Sequence, residues 1–328
     1  MTTVLVTGGA GYVGSHACKA LAAAGYVPVT YDTLEEGYRW AVQWGPLEEG
    51  DVADAARLDE VFARHRPEAV LHFAGYIAAG ESVEAPLKYF RNNVAGTLNL
   101  LEAMRRAEVG RIVFSSTAAV YGEPQSPLLS EDHPLRPVNP YGQSKLMAEA
   151  MLRDAARAHG MKVAALRYFN AAGADPQARI GEAHEPETHL IPLVLDAAAG
   201  RRGDIRIFGD DYDTPDGTGI RDYIHVDDLA EAHVLALQAL DGATEPLSLN
   251  LGNGTGFSVL EVVDVARRVT GREIPAVVAP RRSGDPARLV ADCTAAKRLL
   301  DWRQKRGELE TIVADAWRWH VRHFGDGV

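Results

Sequence analysis

The chain has 328 residues, 46% apolar and 24% charged, which is ordinary for a globular protein and long enough to bury a full core. A formal net charge of −11 argues against nucleic-acid or anionic-membrane partners, which need clustered Lys and Arg. Cys18 and Cys293 stand far apart without metal spacing and read as buried thiols, and no stretch approaches the roughly 18 unbroken apolar residues of a membrane span. No signal peptide fits ahead of the first strand, so a soluble cytoplasmic protein is expected.

Residues 4–7 form a short apolar run, followed at once by Gly8-Gly9-Ala10-Gly11-Tyr12-Val13-Gly14. Residues 15–25 then read as an Ala-rich helix ending on glycine. Strand, glycine turn and helix in that order make the opening of a dinucleotide-binding fold. Gly8 suits the tight turn, Gly11 close approach of a pyrophosphate, and Gly14 close packing of helix on strand. The diphosphate is expected on the free N–H groups of the helix N-terminus. The spacing G-x-x-G-x-x-G resembles the extended branch of the short-chain dehydrogenase/reductase group.

Residues 26–31 read as a second strand with Asp32 at its carboxyl end, placed to bind the adenosine ribose 2′-OH of NAD and to repel the extra phosphate of NADP. A helix over 54–66 has Leu58, Val61 and Phe62 on one face, and residues 69–75 run as a buried strand into a small-residue loop. The helix starting at Pro86 carries Leu87, Phe90, Val94, Leu98 and Leu101 at helical spacing, which reads as a core stripe. A strand over 111–115 ends in Ser115-Ser116-Thr117, where open α/β sheets place ligands. A Pro-rich loop leads to Asn139-Pro140, a good cap and a good first-turn residue for the next helix.

Residues 162–168 form a further strand, and 173–188 read as loop. Helical signals return at 190–200, 226–240 and 259–270, the last opening with the capping-box pattern Ser258-x-x-Glu261. Short strands at 205–208 and 247–251 lie between. The expected fold is α/β: a Rossmann-like doubly wound parallel sheet with a smaller C-terminal α/β domain. Residues 1–172, completed by about 222–251, make the dinucleotide domain; 173–221 and 252–328 make the substrate domain.

Tyr141 and Lys145, four apart on one helix face, lie opposite Thr117 at the strand end. A phenol of ordinary pKa about 10 needs roughly 4 kcal/mol of preference for phenolate to act as a base near neutrality. Lys145 and a cationic nicotinamide can supply it as nearby opposite charges. Thr117 can orient a substrate hydroxyl and relay its proton to Tyr141.

Further patches accompany these: Asp51-Val52, His72-Phe73-Ala74-Gly75, Gly80-Glu81-Ser82, Asn92-Asn93-Val94 and Arg167-Tyr168-Phe169-Asn170. Gly217-Thr218-Gly219, Arg221-Asp222-Tyr223-Ile224-His225 and Arg281-Arg282-Ser283-Gly284-Asp285 continue the series. From Val4 to about Trp302 the chain resembles the UDP-glucose 4-epimerases. The resemblance implies NAD as cofactor, held by Gly8, Gly11, Tyr12, Val13, Gly14, Asp32, Asp51, Val52, Phe73, Ala74, Gly75, Asn92, Ser115, Ser116, Tyr141, Lys145 and Tyr168. It implies a UDP-sugar held by Thr117, Tyr141, Asn170, His189, Leu190, Arg206, Phe208, Arg221, Tyr223, Arg282, Asp285 and Leu289. The implied reaction oxidises the sugar at C4, turns the keto sugar over and reduces its opposite face, in a homodimer.

Two positions depart from the pattern. Ile77 stands where many relatives have a lysine near the nicotinamide. Leu289, at the position limiting room beside the sugar, lies in size between the tyrosine of some members and the serine or cysteine of those that accept N-acetyl sugars. A sugar-nucleotide dehydratase would need an Asp and a Glu just beyond Thr117, and Ala118 and Ala119 stand there instead. An epimerase of UDP-GlcNAc or UDP-glucuronate and a non-catalytic NAD sensor remain as alternatives. His184, His189, His320 and His323 lack a third ligand at metal spacing, so no metal is expected.

Overall fold

The computed structural model describes residues 2–282 and 285–325; Ser283 and Gly284 of the Arg281–Asp285 patch lie outside the described residues. β1 (Thr3–Thr7) leads through the glycine turn into α1 (Tyr12–Ala23), followed by β2 (Val27–Asp32), β3 (Leu47–Glu49), α2 (Ala55–His65) and β4 (Ala69–His72). α3 (Ala79–Glu84), α4 (Pro86–Tyr89) and α5 (Gly96–Arg106) lead to β5 (Arg111–Thr117), and α6 (Pro140–His159) leads to β6 (Lys162–Tyr168). Then come β7 (Asn170–Ala172), α7 (Leu190–Ala198), β8 (Ile205–Phe208), β9 (Ile220–Arg221), β10 (Tyr223–His225), α8 (Val226–Ala239) and β11 (Leu247–Leu251). β12 (Phe257–Ser258), α9 (Val259–Thr270), β13 (Ala276–Ala279), β14 (Arg288–Leu289), α10 (Thr294–Leu300) and α11 (Leu309–Phe324) complete the order.

Seven strands form one parallel sheet in the order β3-β2-β1-β4-β5-β6-β11. The strand order reverses between β1 and β4, and in open α/β sheets the cleft outside such a switch point takes the ligand. Alternation along β1 sends Val4 and Val6 to one face and Leu5 to the other. The first face packs on Ala17, Cys18 and Leu21 of α1 and on Leu229, Ala232 and Leu237 of α8. The second packs on Leu58, Val61 and Phe62 of α2, Leu100 and Met104 of α5, and Ala148 and Leu152 of α6. Burial of both faces explains why these strands read as continuous apolar runs. This is the doubly wound Rossmann-like sheet the sequence predicts. A separate apolar cluster gathers α7, α9 and α11 around Tyr223 and Ile205.

The predicted caps form as read. Asn139 accepts from the Gly142 N–H with Pro140 in the first turn, and Ser258 and Glu261 close a reciprocal capping box. The helix starting at Pro86 differs from expectation. A turn of π-helix, Phe90–Ala95, separates α4 from α5. The apolar residues around it do not form one core stripe: Leu101 is buried, while Leu87 is 70% and Leu98 45% exposed. No helix among the described residues is long and apolar enough to cross a membrane.

Candidate active site

The glycine turn is shaped by contacts with backbone. Gly8 has φ +71°, and a Cβ there would meet the Ala74 nitrogen at 2.6 Å. At Gly14 a Cβ would lie 2.1 Å from the Gly8 carbonyl oxygen, a contact no side chain can relieve. Gly11 is different, since its Cβ would meet only that same oxygen, at 3.4 Å. Gly11 caps α1 without a side-chain acceptor, so the first helical N–H groups have no capping side chain. Tyr12 anchors the turn by donating its hydroxyl to the Gly173 carbonyl at 2.7 Å.

Asp32 closes β2 beside this turn. Its carboxylate accepts from the N–H groups of Ala10 and Leu34, both at 2.9 Å. Burial raises its pKa, against the pull of those two bonds. Across the switch point, His72 sits between the hydroxyls of Thr7 (2.6 Å) and Thr97 (2.9 Å). Burial, with the Lys145 charge second, lowers this imidazole to about 3, so it is neutral. The loop beyond it, Phe73-Ala74-Gly75, passes close to Lys145: a Cβ on Gly75 would lie 3.4 Å from Nζ.

Lys145 is buried on α6 and donates to the Ser115 carbonyl at 2.9 Å, its one hydrogen bond among the described residues. An ammonium has three donors, so two remain for a ligand. Burial lowers its pKa to about 8. Tyr141, one turn earlier, has its phenol raised above the ordinary value by burial, with the Thr117 hydroxyl acting against that shift. The T-shaped ring of Tyr89 backs it at 6.4 Å.

Alternation along β5 separates its polar residues. Ser115 bonds the Tyr168 hydroxyl, and Thr117 accepts from the Ala119 N–H at 3.1 Å. Ser116 points to the opposite face and donates to Glu149 at 2.5 Å, a correction to its expected place beside a cofactor. Glu149 in turn holds Arg167 through two bonds of 2.9 and 2.6 Å, and both side chains are buried.

The later segments supply cations. Arg221 pairs with Asp285 at 2.9 Å, and Arg282 lies 3.9 Å over the Phe208 ring. Arg206 and Phe208 share the outward face of β8. Leu289 pairs in register with Arg221 and packs against the cluster of Ala118, Val120, Tyr121 and Leu129, near the Thr117 strand end. Asn170 donates from its side chain to the Asp222 carbonyl at 3.0 Å. The Tyr223 ring packs into the cluster of α7, α9 and α11. Ile77 is 46% exposed.

Residues 4–252 match the model of the NAD dependent epimerase/dehydratase family. The chain belongs to this family. It is 52% identical over 319 residues to the UDP-glucose 4-epimerase of Rhizobium meliloti (strain 1021), covering 97% of each chain. Its fold is similar to the crystal structure of UDP-glucose 4-epimerase from Brucella ovis in complex with NAD, at TM-score 0.95, 50% identity and 99% of each chain. It is likewise similar to the Bifidobacterium longum UDP-glucose 4-epimerase in complex with NAD+ and UDP, at TM-score 0.93, 38% identity and 100% of each chain.

Several residues of this family member were missed in the sequence. Asn93, on the π-turn, is buried and bonds the Tyr76 backbone N–H at 2.9 Å, its C=O at 3.0 Å and the Ser144 hydroxyl at 3.0 Å. It braces the loop after Gly75, whereas Asn92 beside it is only half-buried. An Asn pair inside a helical run was the available signal, because Asn is a weak helix former. In the loop before α7, Glu182 and Glu187 join His184 and His189 in one cluster. The histidine spacing alone had concealed this convergence.

Proposed function

We propose that the chain interconverts UDP-glucose and UDP-galactose by inverting the sugar at C4 with NAD as resident cofactor. The observation that carries this reading is Tyr141 and Thr117 meeting at the end of β5 beside the buried Lys145, with Ala118 and Ala119 where elimination would need acids. The uncapped start of α1, the room at Gly11 and the two spare donors of Lys145 fit a dinucleotide. When bound, NAD would supply reversible hydride transfer at the sugar C4.

The chain's own groups do the rest. Tyr141 removes the proton of the 4-OH, and Thr117 orients that hydroxyl. Burial keeps the phenol protonated in the protein alone, so the base form needs positive charge nearby. Lys145, with a pKa of about 8, is still charged at neutral pH and supplies part of it while holding the nicotinamide ribose. Arg221 and Arg282 hold the diphosphate with forked donors, and Phe208 and Arg206 hold uracil. In this reading residues 1–172 and 222–251 carry the cofactor, and 173–221 and 252–328 carry the UDP end. The two free buried thiols fit the cytoplasm.

Incubation with UDP-galactose is the direct test. UDP-glucose should form with no net change in nicotinamide absorbance. Stoichiometric NADH with a released keto sugar would indicate a dehydrogenase, and bound NAD without turnover would indicate a sensor.

The glycines separate fold from cofactor. Gly11→Ala should leave the melting temperature nearly unchanged but weaken NAD binding, because the open space at Gly11 is where the diphosphate approaches. Gly14→Ala should lower stability by about 1–3 kcal/mol through overpacking on Gly8. Equal loss of melting temperature in both variants would contradict this division.

Leu289 sets the room beside the sugar. Efficient conversion of the glucose pair is expected, with weak activity on the N-acetyl pair. Leu289→Ser should raise the N-acetyl rate, within the roughly 1–3 kcal/mol that such steric differences are worth. An unchanged ratio of the two rates would place the gate elsewhere.

Leu87, Leu98 and Met147 are exposed on α4, α5 and α6, whereas Met104 is buried and Met151 packs partly on the core. This exposed face is the homodimer surface in our reading. Light scattering at micromolar concentration should give about twice the 35.5 kDa chain mass, and Leu98→Glu should halve it. A monomer throughout would remove the dimer.

A further inference from the structure

We propose that Glu182, His184, Glu187 and His189 bind a divalent transition-metal ion, Zn2+ before others, in a closed structural site. All four lie in the loop between β7 and α7, in the spacing E-x-H-x-x-E-x-H. Their ligand atoms lie within 4.8 Å of one another. Two of the separations suit one ion as they stand. His184 Nδ1 is 3.3 Å from Glu182 Oε1 and 3.5 Å from Glu187 Oε2. Four ligands at about 2.0–2.1 Å from a tetrahedral Zn2+ stand roughly 3.3–3.4 Å apart. A closer pair, His189 Nδ1 and Glu182 Oε1 at 2.6 Å, has to open by less than the width of an atom.

The donor set is informative. Two imidazoles and two carboxylates suit Zn2+ and related first-row ions, whereas Ca2+ and Mg2+ prefer oxygen alone. Four protein donors leave no open position, which marks a structural site rather than a reacting one. The surroundings hold the donors in place. Glu187 Oε1 accepts from the Thr188 and His189 N–H groups at 2.7 and 2.8 Å, and Trp319 donates to the Glu182 carbonyl at 3.1 Å. The His184 ring meets the Tyr12 ring edge-on at 6.4 Å. An ion here would therefore pin the start of α7 against the glycine turn and fix the backbone at His189 and Leu190.

The inference does not depend on the reaction, and its test uses no substrate. The full chain without a histidine tag is stripped with chelator, and Zn2+ or Co2+ alone is then titrated in. One equivalent of Zn2+ should survive gel filtration, and Co2+ should develop the intense visible bands of a tetrahedral site. His184→Ala and Glu187→Gln should each lower Zn2+ affinity by more than the roughly 10- to 100-fold typical of losing an outer-shell partner. If His184→Ala fails to fold, the near-isosteric Glu187→Gln carries the comparison. Substoichiometric Zn2+, a Co2+ spectrum like that of the aqueous ion, or unchanged affinity in the variants would overturn the proposal.

Discussion

Tyr141→Phe should lower conversion of UDP-galactose by roughly 100- to 10,000-fold, the usual contribution of a general acid–base group. The ring keeps its place beside Tyr89, so the melting temperature and bound NAD should be unaffected. The loss falls on turnover rather than on substrate affinity, because the phenol acts on the reacting hydroxyl and not on the UDP handle. Lys145→Met should lose a similar factor and also weaken the cofactor, since Lys145 serves both. Thr117→Ala should lose less, as Tyr141 reaches the 4-OH directly. Near-normal turnover in Tyr141→Phe would end the proposed mechanism, and a larger loss in Thr117→Ala would reverse the two roles.

Arg167→Leu should destabilise the fold by about 3–5 kcal/mol, the cost of leaving a buried charge without its partner. Glu149 would then keep only the Ser116 hydroxyl, beneath the strand that carries Thr117. The Arg167 side chain also donates to the Tyr121 hydroxyl at 3.1 Å, and Tyr121 bonds Asn250 at the far edge of the sheet. Urea unfolding followed by circular dichroism measures the loss. Replacing both residues, Arg167→Leu with Glu149→Leu, should recover part of it, because no charge is then stranded. A loss under 1 kcal/mol in the single variant would mean that water reaches the site.

What could be read from the sequence follows from how local each signal is. The glycine turn and the caps at Asn139 and Ser258 are each set within a few residues, and they form as read. The strands are legible because burial on both sides leaves them uniformly apolar. Features decided by distant partners were not legible. Ser116 looks like its neighbours Ser115 and Thr117, and only the pairing of β5 turns it toward Glu149. Tyr223 belongs to an arginine-containing motif, yet its ring goes to a core assembled from α7, α9 and α11. The stripe from Leu87 to Leu101 has helical spacing throughout, yet the π-turn at Phe90–Ala95 interrupts it and Leu87 and Leu98 lie exposed. α10 and α11 begin on Cys293 and Glu308, neither of which makes a side-chain cap bond, so their starts carry no local cap signal.

β11 joins the sheet by pairing with β6, and α8 covers the same face as α1. During synthesis this imposes a wait. β6 leaves the ribosome with an unpaired apolar edge, and roughly 80 residues must follow before β11 can cover it, about 4–16 s at 5–20 residues per second. Until then the β6 edge is a bare template for pairing with another chain, and Ala164 and Leu166 lie open on the face that α8 will close. Nascent chains stalled near residue 200 should therefore be captured by chaperones or aggregate, while chains stalled with α8 and β11 clear of the exit tunnel should resist protease.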